Sequence, residues 1–344
     1  MNETTLPREV RIGVIGVGRM GADHVERITR RIKGARVSVV SDYVRATAET
    51  VSAGAPGSRV VDTPEEVITA EDVDAVLIAS PGQFHREQTT AAIAAGKPVL
   101  CEKPLAMTPQ DAYEVVRAEA ESGGRYVSLG FMRRFDAEYA ELKDALDAGE
   151  LGTPLLLNCK HRNADVPPHF DNAMMVSDSA VHEVDAISYF LEDPVVSVQT
   201  VVPRSTEHAH EGLNDPLLFI FRTASGTVVT DELFVNTKAG YEVRTEIVGS
   251  RGSATIGLNV GRVTTQQPGG SWGGSVPLDF RPRFLAAYDA EVQAWVDAVA
   301  DGTNIAARSA TAWDGYLAAA VCAAAVQSLS TDGAVEVELD ERPR

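Results

Sequence analysis

Val10-Arg11-Ile12-Gly13-Val14-Ile15-Gly16-Val17-Gly18-Arg19-Met20-Gly21 is the stretch whose reading decides the fold. Six mostly apolar residues run into a G-x-G-x-x-G pattern, and an amphipathic stretch, Met20–Ile32, follows. Glycine is common, so the pattern alone says little. Its setting says more: a strand enters it, a helix leaves it, and Asp42 closes the next apolar run 21 residues after Gly21. This is the arrangement of a dinucleotide-binding βαβ unit. Gly16 permits a tight turn, Gly18 lets the backbone approach a pyrophosphate, and Gly21 lets helix and strand pack closely. Arg19 and Met20 complete the loop, and the diphosphate would sit on the N–H groups that open the helix. Asp42 fits as acceptor for the adenosine ribose hydroxyls. Its charge disfavours a 2′-phosphate and so favours NAD over NADP, although Arg45 lies close by.

Working outward, Val37–Ser41, Ala75–Ala79, Val99–Cys101 and Tyr126–Leu129 are short runs rich in Val, Ile and Leu, as expected of strands covered on both faces. Amphipathic stretches Phe84–Ala95 and Pro109–Glu121 lie between them, the latter opened by Thr108 as N-cap and Pro109 at the first helical position. The alternation predicts a doubly wound parallel sheet of the Rossmann kind over 1–130. After Arg134 the rhythm changes. A helix over Ala137–Ala148 leads to strand-like runs at Leu155–Lys160, Val195–Val202, Leu217–Arg222, Thr227–Phe234, Glu242–Val248 and Ala254–Leu258. Few helices separate these runs, which predicts an α+β domain over 131–344 with a large, mainly antiparallel open sheet. A helix from Ser177 to Leu191 interrupts it. Two more, about Phe284–Ala300 and Ala310–Leu329, close the chain, with room to pack back on the first domain. The Gly-rich run Pro268–Ser275 reads as a mobile loop.

Composition narrows the function classes. The chain has 344 residues, with 31 Lys+Arg against 49 Asp+Glu, a net charge of −18 that would repel DNA and acidic membranes. The one basic cluster, Arg27, Arg30, Arg31, Lys33 and Arg36, falls at a helix end, where cations offset the dipole. No stretch reaches the ~18 apolar residues a bilayer requires. The N-terminus carries no secretory pattern. Cys101, Cys159 and Cys322 are too few and too scattered for a disulfide frame or a zinc site. A cytoplasmic protein without nucleic-acid or membrane partners is expected.

Two places carry chemistry. Glu102-Lys103-Pro104 follows the strand at Val99–Cys101, and ligands of doubly wound sheets collect at the carboxyl ends of the strands. Lys103 emerges there and could stabilise an oxygen that is losing its proton. The second place is Asp178-Ser179-Ala180-Val181-His182-Glu183-Val184-Asp185. On a continuous α-helix Asp178, His182 and Asp185, spaced i, i+4, i+7, share one face. An aspartate one turn from a histidine can orient the ring and raise its basicity. The same spacing also fits a solvated face, with Asp178 and Glu183 compensating the helix N-terminus, or in principle a metal site, although no Cys/His cluster accompanies it.

These elements together resemble the Gfo/Idh/MocA oxidoreductases, and among them the inositol 2-dehydrogenases. The carriers are the loop Gly16–Gly21, Glu102-Lys103-Pro104, Gly130-Phe131-Met132-Arg133-Arg134-Phe135-Asp136, His161-Arg162-Asn163, the D-x-x-x-H-E-x-D run at Asp178–Asp185, Tyr241, and Ala312-Trp313-Asp314-Gly315-Tyr316. The resemblance implies catalytic roles for Lys103, Asp178 and His182. It implies a polyol pocket lined by Met132, Arg133, His161, Asn163, Asp185 and Tyr241. On the cofactor side it implies Ser80, Pro81, His85 and Glu102. Phe135 stands where those enzymes often carry tyrosine, and Ser80-Pro81-Gly82-Gln83-Phe84-His85 departs from their common wording. The expected activity is NAD-dependent oxidation of a secondary hydroxyl of myo-inositol or a close isomer, by a homotetramer. The alternatives are action on another sugar or a keto-inositol, NAD-dependent glycoside cleavage, or a nucleotide sensor without catalysis.

Overall fold

The structure is a computed structural model that describes residues 9–257, 265–266, 272–273 and 277–343. The chain divides into two compact units: Met1–Met132 with Tyr288–Ala319 and Glu341–Arg344, and Arg133–Ala287 with Ala320–Asp340.

The first unit is built on a parallel sheet of β1 (Val10–Ile15), β2 (Ala35–Ser41), β3 (Arg59–Val61), β4 (Ala75–Ile78), β5 (Val99–Glu102) and β6 (Val127–Gly130). Their spatial order is β3-β2-β1-β4-β5-β6, which puts the reversal of strand order between β1 and β4. The helices are α1 (Arg19–Arg30), α2 (Arg45–Ala53), α3 (Pro64–Thr69), α4 (His85–Ala94) and α5 (Pro109–Ser122). Thr108 caps α5, as its place before Pro109 predicts. Except for β3, the strands are buried almost throughout: Ile12, Val14, Val37, Val40, Leu77 and Leu100 lie in one cluster with Val292, Trp295 and Val296. Those last three come from α9 (Phe280–Asp301), so part of a late helix belongs to the core of the early sheet. Two helices and a strand escape the apolar pattern. α2 buries only Ala48, α3 has six residues, and β3 has three.

The second unit carries α6 (Ala137–Asp147) and a sheet of β7 (Pro154–Arg162), β8 (Val195–Val201), β9 (Leu217–Thr223), β10 (Val228–Phe234), β11 (Glu242–Gly249), β12 (Gly252–Ile256) and β15 (Val335–Glu336), in the order β12-β11-β7-β10-β9-β8-β15. All pairs are antiparallel except β7 with β10. Burial alternates along β9, β10 and β11, the mark of a sheet with one face on a core. The inward residues include Phe219, Phe221, Val229, Leu233, Val243 and Ile247. Along β8, the Thr200 hydroxyl donates to the carbonyl of Ala325 in α10 (Ala312–Ser328).

The helix expected from Ser177 starts earlier and is not uniform. Asp171 caps a turn, α7 (Asn172–Met174), which continues through a π-helical segment, Met175–Ala180, into α8 (Val181–Leu191). Of the Gly-rich run Pro268–Ser275, only Trp272 and Gly273 are described; their backbone forms β14, paired with β13 (Thr265–Gln266). The remainder of that run lies outside the described residues.

Candidate active site

The loop after β1 is shaped by backbone contacts. Gly16 has φ +81°, and a Cβ there would meet the Ser80 backbone nitrogen at 2.5 Å. A Cβ on Gly21 would stand 1.9 Å from the Gly16 carbonyl oxygen. At Gly18, by contrast, a Cβ would meet nothing within 4 Å, and no side chain caps the helix that Gly18 opens. Two glycines thus close the turn against protein while the third leaves the α1 N–H groups open, which fits a dinucleotide's pyrophosphate. Asp42 follows β2 directly. Its carboxylate accepts from the Val17 and Val44 backbone N–H groups, both at 2.8 Å, which binds it to the loop while lone pairs remain for hydroxyls. Arg45 is paired with Glu49 and Asp62.

Lys103 follows the last residue of β5 and is half-buried. Its neighbour Glu102 is buried and accepts from His24 Nε2 at 2.7 Å. The other ring nitrogen of His24 lies 3.0 Å from an Arg27 guanidinium nitrogen, which only donates, so Nδ1 is the acceptor and the proton is on Nε2. Arg27 also holds Asp23 and Asp289, both at 2.7 Å, and lies over the Tyr288 ring. Arg27 stands in the last turn of α1, as expected of a helix-end cation, yet it is 1% exposed and anchors a buried chain ending at Glu102. Burial opposes ionisation of Glu102. The hydrogen bond from His24 and the charges of Lys103 and His85 outweigh it and hold the carboxyl below its ordinary range.

Ser80 and Pro81 follow β4, with the Ser80 hydroxyl donating to Gln88 at 2.6 Å. His85 is buried at the start of α4 and offers no ring nitrogen to a cofactor: Nε2 is 2.7 Å from the Ser80 carbonyl oxygen and Nδ1 is 2.6 Å from that of Pro104. The side chain counted on the cofactor side by resemblance is thus committed to the protein itself.

In the second unit, Asp178 occupies the π-helical segment and His182 is the second residue of α8. The junction departs from the uniform 3.6-residue spacing assumed for the Asp178–His182–Asp185 face. Single π turns are rare and frequent at functional sites. Asp185 is bound by Arg134, whose Nε and Nη2 donate to it at 3.1 and 2.6 Å, while the guanidinium lies over Tyr189. Arg133 donates to Glu183, and His161 Nδ1 reaches the other Glu183 oxygen at 3.0 Å. All three are buried. Burial disfavours the Glu183 carboxylate, but Arg133 and His161 more than compensate and lower its titration. Tyr241 packs edge-on against His161, with ring centres 5.5 Å apart, and the His161 and His182 rings are 6.4 Å apart. Asn163, just past β7, is tied through its backbone to Phe234 and Thr237. Met132 is buried in a 3-10 turn that follows β6.

The charges of Arg133 and Asp185, expected on substrate hydroxyls, are thus engaged by Glu183 and Arg134. Glu183 is what the helical pattern missed: it looks like an N-terminal charge, but it is buried against β7. The signal was present in the adjacent Arg133-Arg134, since two arginines inside an apolar run call for buried acids. The three cysteines are buried, and burial pushes the Cys159 thiol up and Cys322 up to about 12, so neither of these two is a ready nucleophile. Among the described residues no group of His, Cys, Asp or Glu is arranged to hold a metal ion, and no helix is long and apolar enough to cross a membrane.

Comparison with known proteins places this geometry. Residues 10–131 match the oxidoreductase family with an NAD-binding Rossmann fold, and residues 139–255 match the GFO/IDH/MocA C-terminal domain. The chain is 52% identical over 338 residues to the inositol 2-dehydrogenase of Mycolicibacterium smegmatis, covering 97% of this chain and 98% of that one. It is 51% identical over 337 residues to that of Rhodococcus erythropolis, covering 97% of each. Among solved structures, the myo-inositol dehydrogenase of Lactobacillus casei in complex with NAD(H) and myo-inositol superposes with a TM-score of 0.91 at 32% identity, covering 97% and 98% of the two chains. The chain belongs to the GFO/IDH/MocA oxidoreductase family.

Proposed function

We propose that the chain oxidises a ring hydroxyl of myo-inositol or a close isomer to the ketone with NAD. The observation that carries this is half-identity, over nearly its full length, to inositol 2-dehydrogenases in a chain that has Lys103, Asp178 and His182. The loop Gly16–Gly21, with Arg19, Met20, Asp42, Ser80 and Pro81, would hold the cofactor, whose nicotinamide would supply the acceptor for the hydride of the carbinol carbon. His182 takes the hydroxyl proton as the carbon–oxygen double bond forms. Asp178 supports the imidazolium that results, and Lys103 stabilises the oxygen while it carries negative charge. His161, Asn163, Tyr241 and Met132 would line the polyol site. Arg133 and Asp185 would shape it by holding β7 and α8 in place. A site built for several hydroxyls rejects analogues lacking them, because its polar groups are then left unpaired.

The test is NADH formation across inositol isomers and monosaccharides. Lys103→Ala and His182→Ala should each lower kcat by about 10²–10⁴-fold, with the Kd for NAD within a few-fold of wild type. Normal turnover by both variants sinks the mechanism. Turnover of a sugar but of no inositol replaces the substrate class and leaves the mechanism standing. We further propose a cytoplasmic homotetramer. Leu155 and Leu156 of β7, Val196 of β8 and Val202 just after it are large apolar side chains left exposed on the second unit, and light scattering at the chain's working concentration decides the assembly.

A further inference from the structure

His85 is set apart by what its ring faces. A carbonyl oxygen only accepts, and both ring nitrogens have one within 2.7 Å: Ser80 beyond β4 and Pro104 beyond β5. A neutral imidazole has one N–H, so it would satisfy one carbonyl and press a lone pair against the other. Only the imidazolium satisfies both. We infer that His85 is a protonated positioning residue that ties the Ser80 loop to the Pro104 loop and thereby fixes the backbone from which Lys103 projects.

The surroundings support a cation at this buried site. Burial works against the charge, but negative charge on the Cys101 sulfur, a hydrogen bond to it and the Pro104 and Ser80 carbonyls more than offset it and push the ring up to about 9. From β5, Cys101 and Glu102 are the titratable groups that act on it, and Glu102 is ionised in part through the charges of Lys103 and His85. His24, on α1, holds Glu102 from its other side. Lys103 is thus bracketed in sequence by two residues fixed by buried histidines: Glu102 by His24 and Pro104 by His85. The loop is closely packed as well, since a Cβ on Gly82 would meet Pro104 Cδ at 3.4 Å. The consequence for catalysis rests on the role proposed for Lys103. An amine carried on a loop free to shift by an ångström loses much of its effect on the reaction.

The deciding measurement is the protonation of the His85 ring in the full chain, by nitrogen-15 NMR of histidine-labelled protein with and without NAD. The resonance is assigned by its through-bond connection to the His85 backbone and checked by its loss in His85→Gln. Two protonated ring nitrogens at pH 7.5 are expected, and a neutral ring overturns the inference. In the same variant, glutamine can donate to only one of the two carbonyls. Its kcat should fall about 10- to 100-fold while the Kd for NAD stays within threefold. A kcat within twofold of wild type overturns the positioning role. So does a parallel loss of NAD affinity, which would make His85 a cofactor ligand. If His85→Gln does not fold, the ring's state in the wild-type chain still decides. Wild-type turnover by Lys103→Ala would instead refute the proposed reaction and leave the ring measurement untouched.

Discussion

The loop Gly16–Gly21 and the face of α8 are both reached from short sequence motifs, but they are held in opposite ways. The loop is shaped by the absence of side chains: Gly16 against Ser80, Gly21 against Gly16, and Asp42 on two backbone N–H groups. The α8 face is shaped by charge: Arg133 on Glu183 and His161, and Arg134 on Asp185, all buried. A backbone-built site depends on the residue type at its own positions, whereas a buried charge depends on a partner. Arg133 and Glu183 lie 50 positions apart. The two designs should therefore fail differently when one residue is changed.

The largest effect on stability is expected in the charge-built region. Arg133→Met leaves Glu183 with His161 alone at a site that is 1% exposed. Breaking one side of a buried pair costs about 3–5 kcal/mol. Arg133→Met/Glu183→Gln removes both charges and should recover much of that loss in urea melts at pH 7. Glu183 titrates below its ordinary value in the folded chain. Its stabilisation is therefore present above the unfolded pKa of 4.5 and lost as pH falls through the folded value. The penalty of the single variant should shrink over the same acid range. An Arg133→Met chain that melts like wild type at pH 7 would show that charge does not hold this region.

The backbone-built region separates fold from binding. Gly21→Ala puts a methyl group 1.9 Å from a carbonyl oxygen that cannot swing aside. Overpacking of this kind costs about 1–3 kcal/mol, so both Tm and NAD affinity should fall. Gly18→Ala meets no protein atom within 4 Å and should leave Tm unchanged within error. It should nonetheless weaken NAD by at least about tenfold, because the backbone approach to the pyrophosphate is lost. Calorimetry and fluorescence titration of the two variants give both readings. Equal effects of the two substitutions on Tm would remove the distinction between the closing glycines and the open one.

That contrast also explains what was legible beforehand. β1, β2, β4, β5 and β6 announce themselves because a strand buried on both faces must be apolar almost throughout. α2 and α3 do not, since they bury too few residues to leave a pattern. The glycine loop is legible because its geometry dictates residue type locally. The π-helical segment at Asp178 is not, because its composition is that of any helix. Arg27 and Glu183 are read as charges that offset a helix dipole when only their own helices are considered. Their partners, Asp289 and Arg133, lie 262 and 50 residues away, and a charge's burial is decided by where the chain brings such partners.

The smallest effect tests whether charge in the second unit is always paired. Asp231 lies on the inward face of β10, opposite Cys159 of β7, fully buried and with no hydrogen-bond partner for either oxygen among the described residues. Burial, and then repulsion from Glu183, raise its carboxyl well above the ordinary range, so folding favours the protonated acid. The sign follows from the protons bound. Above the unfolded pKa of 3.8 the folded chain holds a proton that the unfolded chain has released, so stability falls as pH rises toward the folded value. While that difference persists, the slope for this one group is about −1.4 kcal/mol per pH unit. Asp231→Asn keeps the shape of the neutral acid and has nothing to titrate. The variant should thus gain up to about 1.4 kcal/mol relative to wild type between pH 4.5 and pH 5.5, with little change in kcat. Urea melts at several pH values give the slope. A variant that loses ground to wild type as pH rises would mean that Asp231 is ionised, and that a partner for it lies within reach of the sheet's inner face.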